Sequence, residues 1–239
     1  MANNGLPIAG WFGKIPSLGD FASRRLPQDF VNTWDTWLQH AMAASRAHLE
    51  ERWLDLYLTS PIGRFALMPG VCGNSAWAGV LMSSVDKVGR YYPLTIAVQL
   101  DTHPQATAAV FSAHDWYAAL ERVALSMLDV NASPDDLERG LAEIPFPTPQ
   151  LSDQYSRVQE LAAWWRTGSA APTTLLLPTP TSLADLFNAT ARDVLVTTGL
   201  GKSFWWTSVP PQLHGFSGLP PEDFFAVLLE GAVPKKGSD

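Results

Sequence analysis

Apolar side chains recur at helical spacing between residues 27 and 47. They are Phe30, Trp34, Trp37, Leu38, Ala41 and Met42. These positions fall on one face of a helix, and Pro27 suits the first helical turn. The pattern predicts an amphipathic helix that ends near Ala47. A second helical stretch follows and stops before Pro61, with Leu49, Trp53, Leu56 and Tyr57 on one side.

The period of the pattern changes to two between residues 63 and 100. Three short apolar stretches, GRFALMP, AWAGVLMSSV and YYPLTIAVQL, are separated by glycine-containing turns. In the last stretch apolar residues alternate with Thr95, Ala97 and Gln99, which is typical of a strand. Because the turns are short, we expect an antiparallel meander of three strands. A further short strand, GWFGKI, precedes the long helix.

Helical spacing returns from Trp116 to Leu128, and Ser133 begins another helix with a capping pattern. Further helices are predicted at 153–166 and 183–191, on either side of a Pro- and Thr-rich loop at 168–182. The strand SFWWTSV and the helix PEDFFAVLLE end the pattern. This order predicts an α/β (α+β) fold, in which a mainly antiparallel central sheet carries helices packed on its faces. We expect one layered domain, with residues 1–145 as an N-terminal core and 146–239 as a helical C-terminal part packed on it.

Composition narrows the classes of partner. Hydrophobic residues make up 46% of the 239 residues and charged residues 16%, with a net charge of −7. An acidic chain argues against nucleic acid as a partner. Cys72 is the single cysteine, which excludes an intrachain disulfide and favours a reducing compartment. With neither a signal-peptide pattern nor an apolar run of about 20 residues, we expect a cytoplasmic protein without direct membrane insertion.

Three kinds of chemical site have partial matches in the sequence. Gly201-Lys202-Ser203 resembles the end of a phosphate-binding loop, but the required first glycine is Val196 and a strand-like segment follows. A glycine turn that leads into a strand is the better interpretation. The histidines lack metal-ligand spacing, and Cys72 has no base near it in sequence. We therefore predict no catalytic, cofactor or metal site.

Charged residues are concentrated in glycine turns. They are Lys14, Asp20, Arg24, Arg25, Arg64, Asp86, Lys87 and Arg90. One interpretation is structural: Asp20 caps a short turn, while Arg64 or Arg90 bridges carboxylates between loops. The other is a polar recognition surface where the turns converge at one end of the sheet. The residues alone leave both open.

Two motifs resemble a known family. GWFGKIPSLGDF contains the pattern G-K-x-P-x-x-G-D-F, and SSVDKVGRYY contains S-V-D-x-V-G-R-Y. Together with FVNTWDTWLQHAMAASR, FWWT and GLPPEDFFAVLL, they resemble TagF, an accessory protein of type VI secretion. The resemblance is strong over residues 8–100, weaker over 101–190, and returns at 203–229. Ser83 and Tyr92 replace the family's proline and phenylalanine.

The resemblance implies a non-enzymatic cytosolic regulator that restrains type VI secretion after translation. It implies that the protein binds and sequesters the system's forkhead-associated scaffold protein. The partner-binding candidates are Lys14, Asp20, Arg24, Asp86 and Arg90, with Trp205 and Trp206 as possible anchors. At least one of these adjacent tryptophans is expected to face the core instead. Two other functions stay open, a phosphate-ester hydrolase acting in the phosphorylation switch and a structural baseplate subunit. The sequence leaves the oligomeric state undetermined.

Overall fold

Seven strands form one antiparallel sheet in the computed structural model, which describes residues 7–100, 107, 109–147, 155–168, 173–177 and 182–231. The strands are β1 (Gly10–Gly13), β2 (Ala22–Arg24), β3 (Gly63–Leu67), β4 (Trp77–Met82), β5 (Leu94–Gln99), β6 (Lys202–Thr207) and β7 (Gln212–Ser217). Their order across the sheet is β2-β1-β5-β4-β3-β6-β7. Neighbouring strands are antiparallel throughout.

Helices cover both faces of this sheet. They are α1 (Gln28–Leu49), α2 (Trp53–Thr59), α3 (His114–Ser126), α4 (Pro134–Ala142), α5 (Tyr155–Thr167), α6 (Leu183–Thr198) and α7 (Phe224–Glu230). One hydrophobic core lies between the sheet and α1, α2 and α7. A second lies on the opposite face, under α3 and α4. Strands β1, β3, β4 and β5 are therefore buried on both sides, and alternate residues along them belong to different cores.

The apolar stripe of α1 packs on the sheet as its spacing predicts. Trp34 is fully buried, and its indole N–H donates to Thr95 Oγ1 of β5 at 2.8 Å. This bond satisfies a hydroxyl group that the strand buries on the α1 face, where an unpaired polar group would be costly. The Trp34 ring also stacks on Trp205 of β6, with centroids 5.7 Å apart and 7° between the planes. With Phe65 of β3 at 4.8 Å from the same ring, one side chain of α1 contacts three strands of the sheet.

The predicted fold class is confirmed, and so is the meander, since β4 pairs with both β3 and β5. The capping pattern at Ser133 is confirmed as a capping box with Asp136 at the start of α4. Helix α6 continues past the predicted end at residue 191. It ends at Thr198, and Gly199 is its C-cap residue. Within the predicted loop at 168–182, residues 173–177 form neither helix nor strand, and most of the others lie outside the described residues.

Strands β2 and β7 were not predicted. β2 has three residues and pairs with β1, too short for a period of two to show. β7 reads Gln-Leu-His-Gly-Phe-Ser, and its glycine weakens the strand signal. β6 and β7 extend the sheet beside β3, so the sheet draws strands from both sides of the predicted division at residue 145. The division into two parts stays a prediction.

Candidate functional site

The turn after β1 begins at a glycine that the geometry requires. Gly13 has a φ of +135°, and a Cβ there would lie 2.1 Å from the carbonyl oxygen of Pro93. Only glycine adopts this backbone at so close an approach without strain. β1 therefore runs tightly against the segment before β5, and the next residue, Lys14, enters the interior with 4% of its surface exposed.

Lys14 forms a buried ion pair with Asp86. Lys14 Nζ lies 2.9 Å from Asp86 Oδ2, and Arg90 Nε lies 2.7 Å from the same oxygen. The other oxygen, Oδ1, accepts hydrogen bonds from the backbone N–H groups of Val88 and Arg90, at 3.0 Å and 2.9 Å. Four donors thus surround one carboxylate. We call Lys14, Asp86 and Arg90 the turn brace.

The turn brace keeps Asp86 ionised. Burial of the carboxyl acts to raise its pKa, but hydrogen bonds from Lys14, Arg90 and Val88 outweigh burial. The pKa of Asp86 is therefore held well below its ordinary value. A charge-assisted hydrogen bond is shorter and stronger than a neutral one, which suits a brace between two turns.

The spacing of the second motif closes a tight loop between β4 and β5. The Asp86 N–H donates to the Arg90 carbonyl at 3.1 Å, and the Gly89 N–H donates to the Asp86 carbonyl at 3.0 Å. Gly89 has a φ of +85°, which glycine adopts readily. Val85 and Tyr91 face each other in an isolated bridge at the base of the loop. This fold brings the Asp86 carboxylate within reach of the backbone of its own loop.

Three further bonds join this loop to the turn after β1. Ser84 Oγ donates to the Lys14 carbonyl at 2.7 Å, and the Lys87 N–H donates to the Leu18 carbonyl at 2.8 Å. Arg90 Nη2 donates to the carbonyl of Gly19. The two sequence motifs are therefore joined by hydrogen bonds into one unit. The predicted convergence of charged turns is present for Lys14, Asp86 and Arg90.

The exposed residues around the turn brace form a mixed polar and apolar patch. We call it the turn surface, and its members are Asp20, Phe21, Lys87, Val88 and Arg90. Phe21 is 45% exposed and Val88 68% exposed, and 56% of the Arg90 side chain is accessible. By contrast, Asp86 is only 3% exposed. Lys14 and Asp86 are therefore buried beneath the turn surface, and Arg90 is the member of the turn brace that belongs to it.

Val88 and Phe21 are the members of the turn surface that the sequence analysis missed, and Phe21 is the aromatic one. Its ring packs on Tyr92, with centroids 4.7 Å apart, and on Phe12 at 5.9 Å. Lys14 Nζ lies 4.7 Å from the ring centroid, which is a cation–π contact. The ring is therefore held in place although almost half of it faces solvent. The sequence signal for Phe21 is its position as the last residue of G-K-x-P-x-x-G-D-F.

Asp20 and Arg24 are not members of the turn brace. Asp20 is exposed, and its Oδ1 accepts a hydrogen bond from the N–H of the next residue, Phe21, at 2.8 Å, with strand β2 rather than a helical turn following. Arg24 pairs in register with Trp11, at the end of the β1–β2 hairpin away from the turn. Its Nη1 lies 3.3 Å from Asp135 Oδ1 of α4. The structure thus does not bring Arg24 to the turn surface, and its partner-binding role stays a prediction.

Adjacent tryptophans in β6 have different environments. Trp205 is 1% exposed and packs among Trp34, Trp37 and Phe65, so of the two alternatives it takes the core position. Trp206 is half-buried on the opposite face, against the ring of Tyr117 at 4.9 Å. Trp206 lies on β6, across β3, β4 and β5 from β1. It therefore does not belong to the turn surface.

Comparisons with known proteins identify the family. Residues 10–144, more than half of the chain, match the TagF N-terminal domain, described as type VI secretion system-associated. The chain belongs to the TagF family. The crystal structure of PA0076 from Pseudomonas aeruginosa PAO1 is similar, with 32% sequence identity and a TM-score of 0.71. The similarity covers 97% of this chain and 99% of PA0076. Among curated proteins, none matches the sequence.

The matched region of this TagF-family chain holds the whole turn brace and turn surface. The matched region ends at residue 144, just after α4, so β6 and β7 lie outside the matched region. In the described ranges, no group of three or more His, Cys, Asp or Glu side chains is placed to hold a metal ion. No helix in that part of the chain has the length and apolar character needed to span a bilayer.

A second polar site of the TagF-family protein lies on the opposite sheet face. Arg64 is 4% exposed and donates through Nε and Nη2 to the two carboxylate oxygens of Glu121, at 2.6 Å and 2.8 Å. Arg64 thus pairs with a carboxylate, but the pair joins β3 to α3 and not two loops. Arg64 lies at a pocket of about 380 Å³ with largely aromatic walls, including Phe204 and Trp206. The charge of Arg64 is balanced by Glu121, which indicates a structural role for the guanidinium.

The Gly201-Lys202 segment is a turn, as the sequence favoured. Gly201 has a φ of +71°, and its N–H donates to the Pro69 carbonyl at 2.7 Å. Lys202 begins β6, and its Nζ donates to Ser217 Oγ of β7 at 2.6 Å. A strand rather than a helix follows, so the segment lacks the helix N-terminus that phosphate-binding loops use.

Proposed function

We propose that this TagF-family protein restrains type VI secretion in the cytoplasm, after translation, by binding and sequestering the forkhead-associated scaffold protein. The observation that carries the proposal is the family match over residues 10–144, because it brings a type VI secretion-associated role with it. The similarity to PA0076 along nearly the whole of both chains supports the same role. We propose binding rather than catalysis as the activity.

The turn surface supports a binding role. Protein-binding sites combine apolar anchors with a polar rim, and a few residues carry most of the affinity. Phe21 and Val88 are apolar and exposed, and the exposed polar residues Asp20, Lys87 and Arg90 lie in the same two turns. Because the turn brace fixes both turns, a partner would lose little free energy in ordering them. We therefore place the partner on the turn surface.

A charge placed on the turn surface tests this proposal. Val88→Asp is expected to weaken capture of the purified forkhead-associated protein about tenfold or more, since a carboxylate would be desolvated at the contact. Val130→Asp is the matched control, because Val130 is the same residue type, also 68% exposed, in the loop between α3 and α4. Affinity is measured by titration calorimetry, and both variants are checked for an unchanged melting temperature.

The results distinguish the proposed partner from the proposed binding surface. A loss of affinity in Val88→Asp but not in Val130→Asp supports both proposals. If both variants bind with the affinity of the wild type, the interface lies outside the turn surface. If the wild type does not bind the forkhead-associated protein, the sequestration proposal is wrong. In cells, sequestration predicts that secretion falls as the level of this protein rises, because a ligand shifts a population through its differential affinity and its concentration. Repression independent of dose would contradict the mechanism.

A further inference from the structure

The two edges of the sheet differ in how they are protected. Edge strands expose unpaired backbone groups, and proteins usually shorten them or charge them. β2 has three residues and ends at Arg24, and Arg25 follows with a φ of +60°. β7 has six residues, Gln212–Ser217, without a Lys, Arg, Asp, Glu or Pro. At the β7 end, the sheet carries an edge without these protections.

Backbone groups of alternate residues in β7 point outward. The Gly218 N–H donates to the Gly201 carbonyl at 2.6 Å, which directs the backbone of Gly218 toward β6. In an antiparallel pair this direction repeats every second residue. His214 therefore directs its N–H and C=O toward β6, and Leu213 and Gly215 direct theirs away from the sheet. These outward groups can pair with another strand.

Side chains on the same edge form a projection and a gap. Leu213 is 70% exposed and lies on the pocket face of the sheet. Gly215, two residues on, shares that face. A Cβ built on Gly215 would meet only the ring of Phe204, at 3.9 Å, so space is open above the glycine. The projection and the gap are placed symmetrically on the two sides of His214.

We propose that two copies of this protein pair through β7, antiparallel, about a twofold axis at His214. Leu213 of each copy then lies opposite the partner's Gly215 and fills the gap over Phe204. Leu213 and the partner's Gly215 exchange backbone hydrogen bonds, because both point outward. A second copy suits this edge because the same surface supplies projection and gap, as an isologous interface requires. No Lys, Arg, Asp or Glu of either β7 faces its counterpart.

A neighbouring register is less favourable. A twofold axis at Gly215 would place Gly215 opposite itself, so the gap over Phe204 would stay empty and Leu213 would face Ser217. Burial of apolar surface contributes about 25 cal/mol of stabilising free energy per Å², which this register would lose at the gap. The pairing at His214 buries the surface over Phe204. This inference does not depend on the proposed function, since it concerns a different edge of the sheet from the turn surface.

Sedimentation velocity of the full chain tests the pairing. The wild type is expected to approach twice the 26.1 kDa of one chain as concentration rises. Leu213→Asp is expected to stay monomeric, because it places two carboxylates in the interface. Val209→Asp is the matched control, since Val209 is an aliphatic residue 78% exposed in the turn just before β7. A wild type that is monomeric at every concentration overturns the proposal, as does a Leu213→Asp variant that still dimerises.

A cysteine at the axis tests the register. In the proposed pairing, His214 faces the partner's His214 as a non-hydrogen-bonded pair, with Cα atoms about 4.5 Å apart. That distance lies within the range of a disulfide, so His214→Cys is expected to form a covalent dimer under mild oxidation. The wild type is the control, because burial raises the pKa of the Cys72 thiol to about 12 and keeps it unreactive. A dimeric His214→Cys protein, shown to fold, that does not cross-link excludes this register.

Discussion

At the scale of single residues, the turn brace shows how a buried charge is made tolerable. Removing a carboxylate and an ammonium from water costs several kcal/mol for each ion, and the cost is recovered only with good geometry. Here Asp86 accepts four hydrogen bonds, and Lys14 Nζ lies both beside the carboxylate and against the Phe21 ring. The sequence shows the local part, because Asp86 and Arg90 lie in one motif. It cannot show the pairing with Lys14, 72 residues away.

Loss of the Asp86 charge is expected to destabilise the fold strongly. Asp86→Asn leaves the Lys14 ammonium buried opposite a neutral amide, and breaking a buried pair costs about 3–5 kcal/mol. The free energy of unfolding in urea is the measurement. Arg24→Gln is the control, because the Arg24–Asp135 pair is exposed, with side-chain accessibilities of 48% and 79%, and such pairs contribute about 0–1 kcal/mol. Equal small losses in both variants would mean that the turn brace adds little stability.

The same comparison has a pH dependence with a fixed sign. The pKa of Asp86 is lowered in the folded protein, so ionised Asp86 favours folding above the ordinary aspartate pKa of about 3.9. As pH falls below that value, the unfolded chain takes up the proton first and the advantage shrinks. The difference in stability between wild type and Asp86→Asn is therefore expected to be constant near neutral pH and to narrow below about pH 4. A difference that widens on acidification would contradict the assigned charge.

At the scale of elements, the helices and strands with long regular apolar patterns were predictable from the sequence, and the edge strands β2 and β7 were not. α1 and the β3–β4–β5 meander carry long apolar patterns, and each lies where the pattern indicates. β2 pairs only because β1 is beside it, and β7 is interrupted by Gly215. Pairing across the sheet depends on tertiary contact, which local periodicity does not contain. Of the charged candidates, Asp20 and Arg90 lie on the turn surface and Lys14 and Asp86 are buried beneath it, whereas Phe21 needed the packing around it to be recognised.

Removal of one cap is expected to weaken α4 modestly. Ser133 Oγ accepts from the Asp136 N–H, and Asp136 Oδ2 accepts from the Ser133 N–H. Hydrogen bonds from the Ser133 side chain and backbone, and then from Arg139, lower the pKa of Asp136 to about 2, so the carboxylate stays ionised at neutral pH. Ser133→Ala is expected to cost about 1 kcal/mol in urea unfolding. Ser133→Thr is the control and should retain most of the stability.

At the scale of the whole molecule, a cluster of tryptophans joins the beginning and end of the chain. Trp34 and Trp37 of α1 pack on Trp205 of β6, and the Trp37 N–H donates to the Pro220 carbonyl at 2.8 Å. Phe224 of α7 contacts the same Trp205 ring at 5.8 Å. The core under α1 is therefore built from residues about 170 positions apart. In contrast, α5 and α6 share a small cluster around Leu161 and Leu186.

This arrangement makes the predicted division at residue 145 testable by truncation. A fragment of residues 1–145 lacks β6, β7 and α7, so Trp34 and Phe65 would lose the Trp205 ring and face water. Large buried aromatic side chains contribute about 3–5 kcal/mol each when their packing is lost, and several would lose it together. We expect the fragment to show no cooperative thermal transition by near-ultraviolet circular dichroism, where the full chain shows one. A fragment that melts cooperatively would instead establish residues 1–145 as an independent domain, with β6 and β7 added to a core that is already complete.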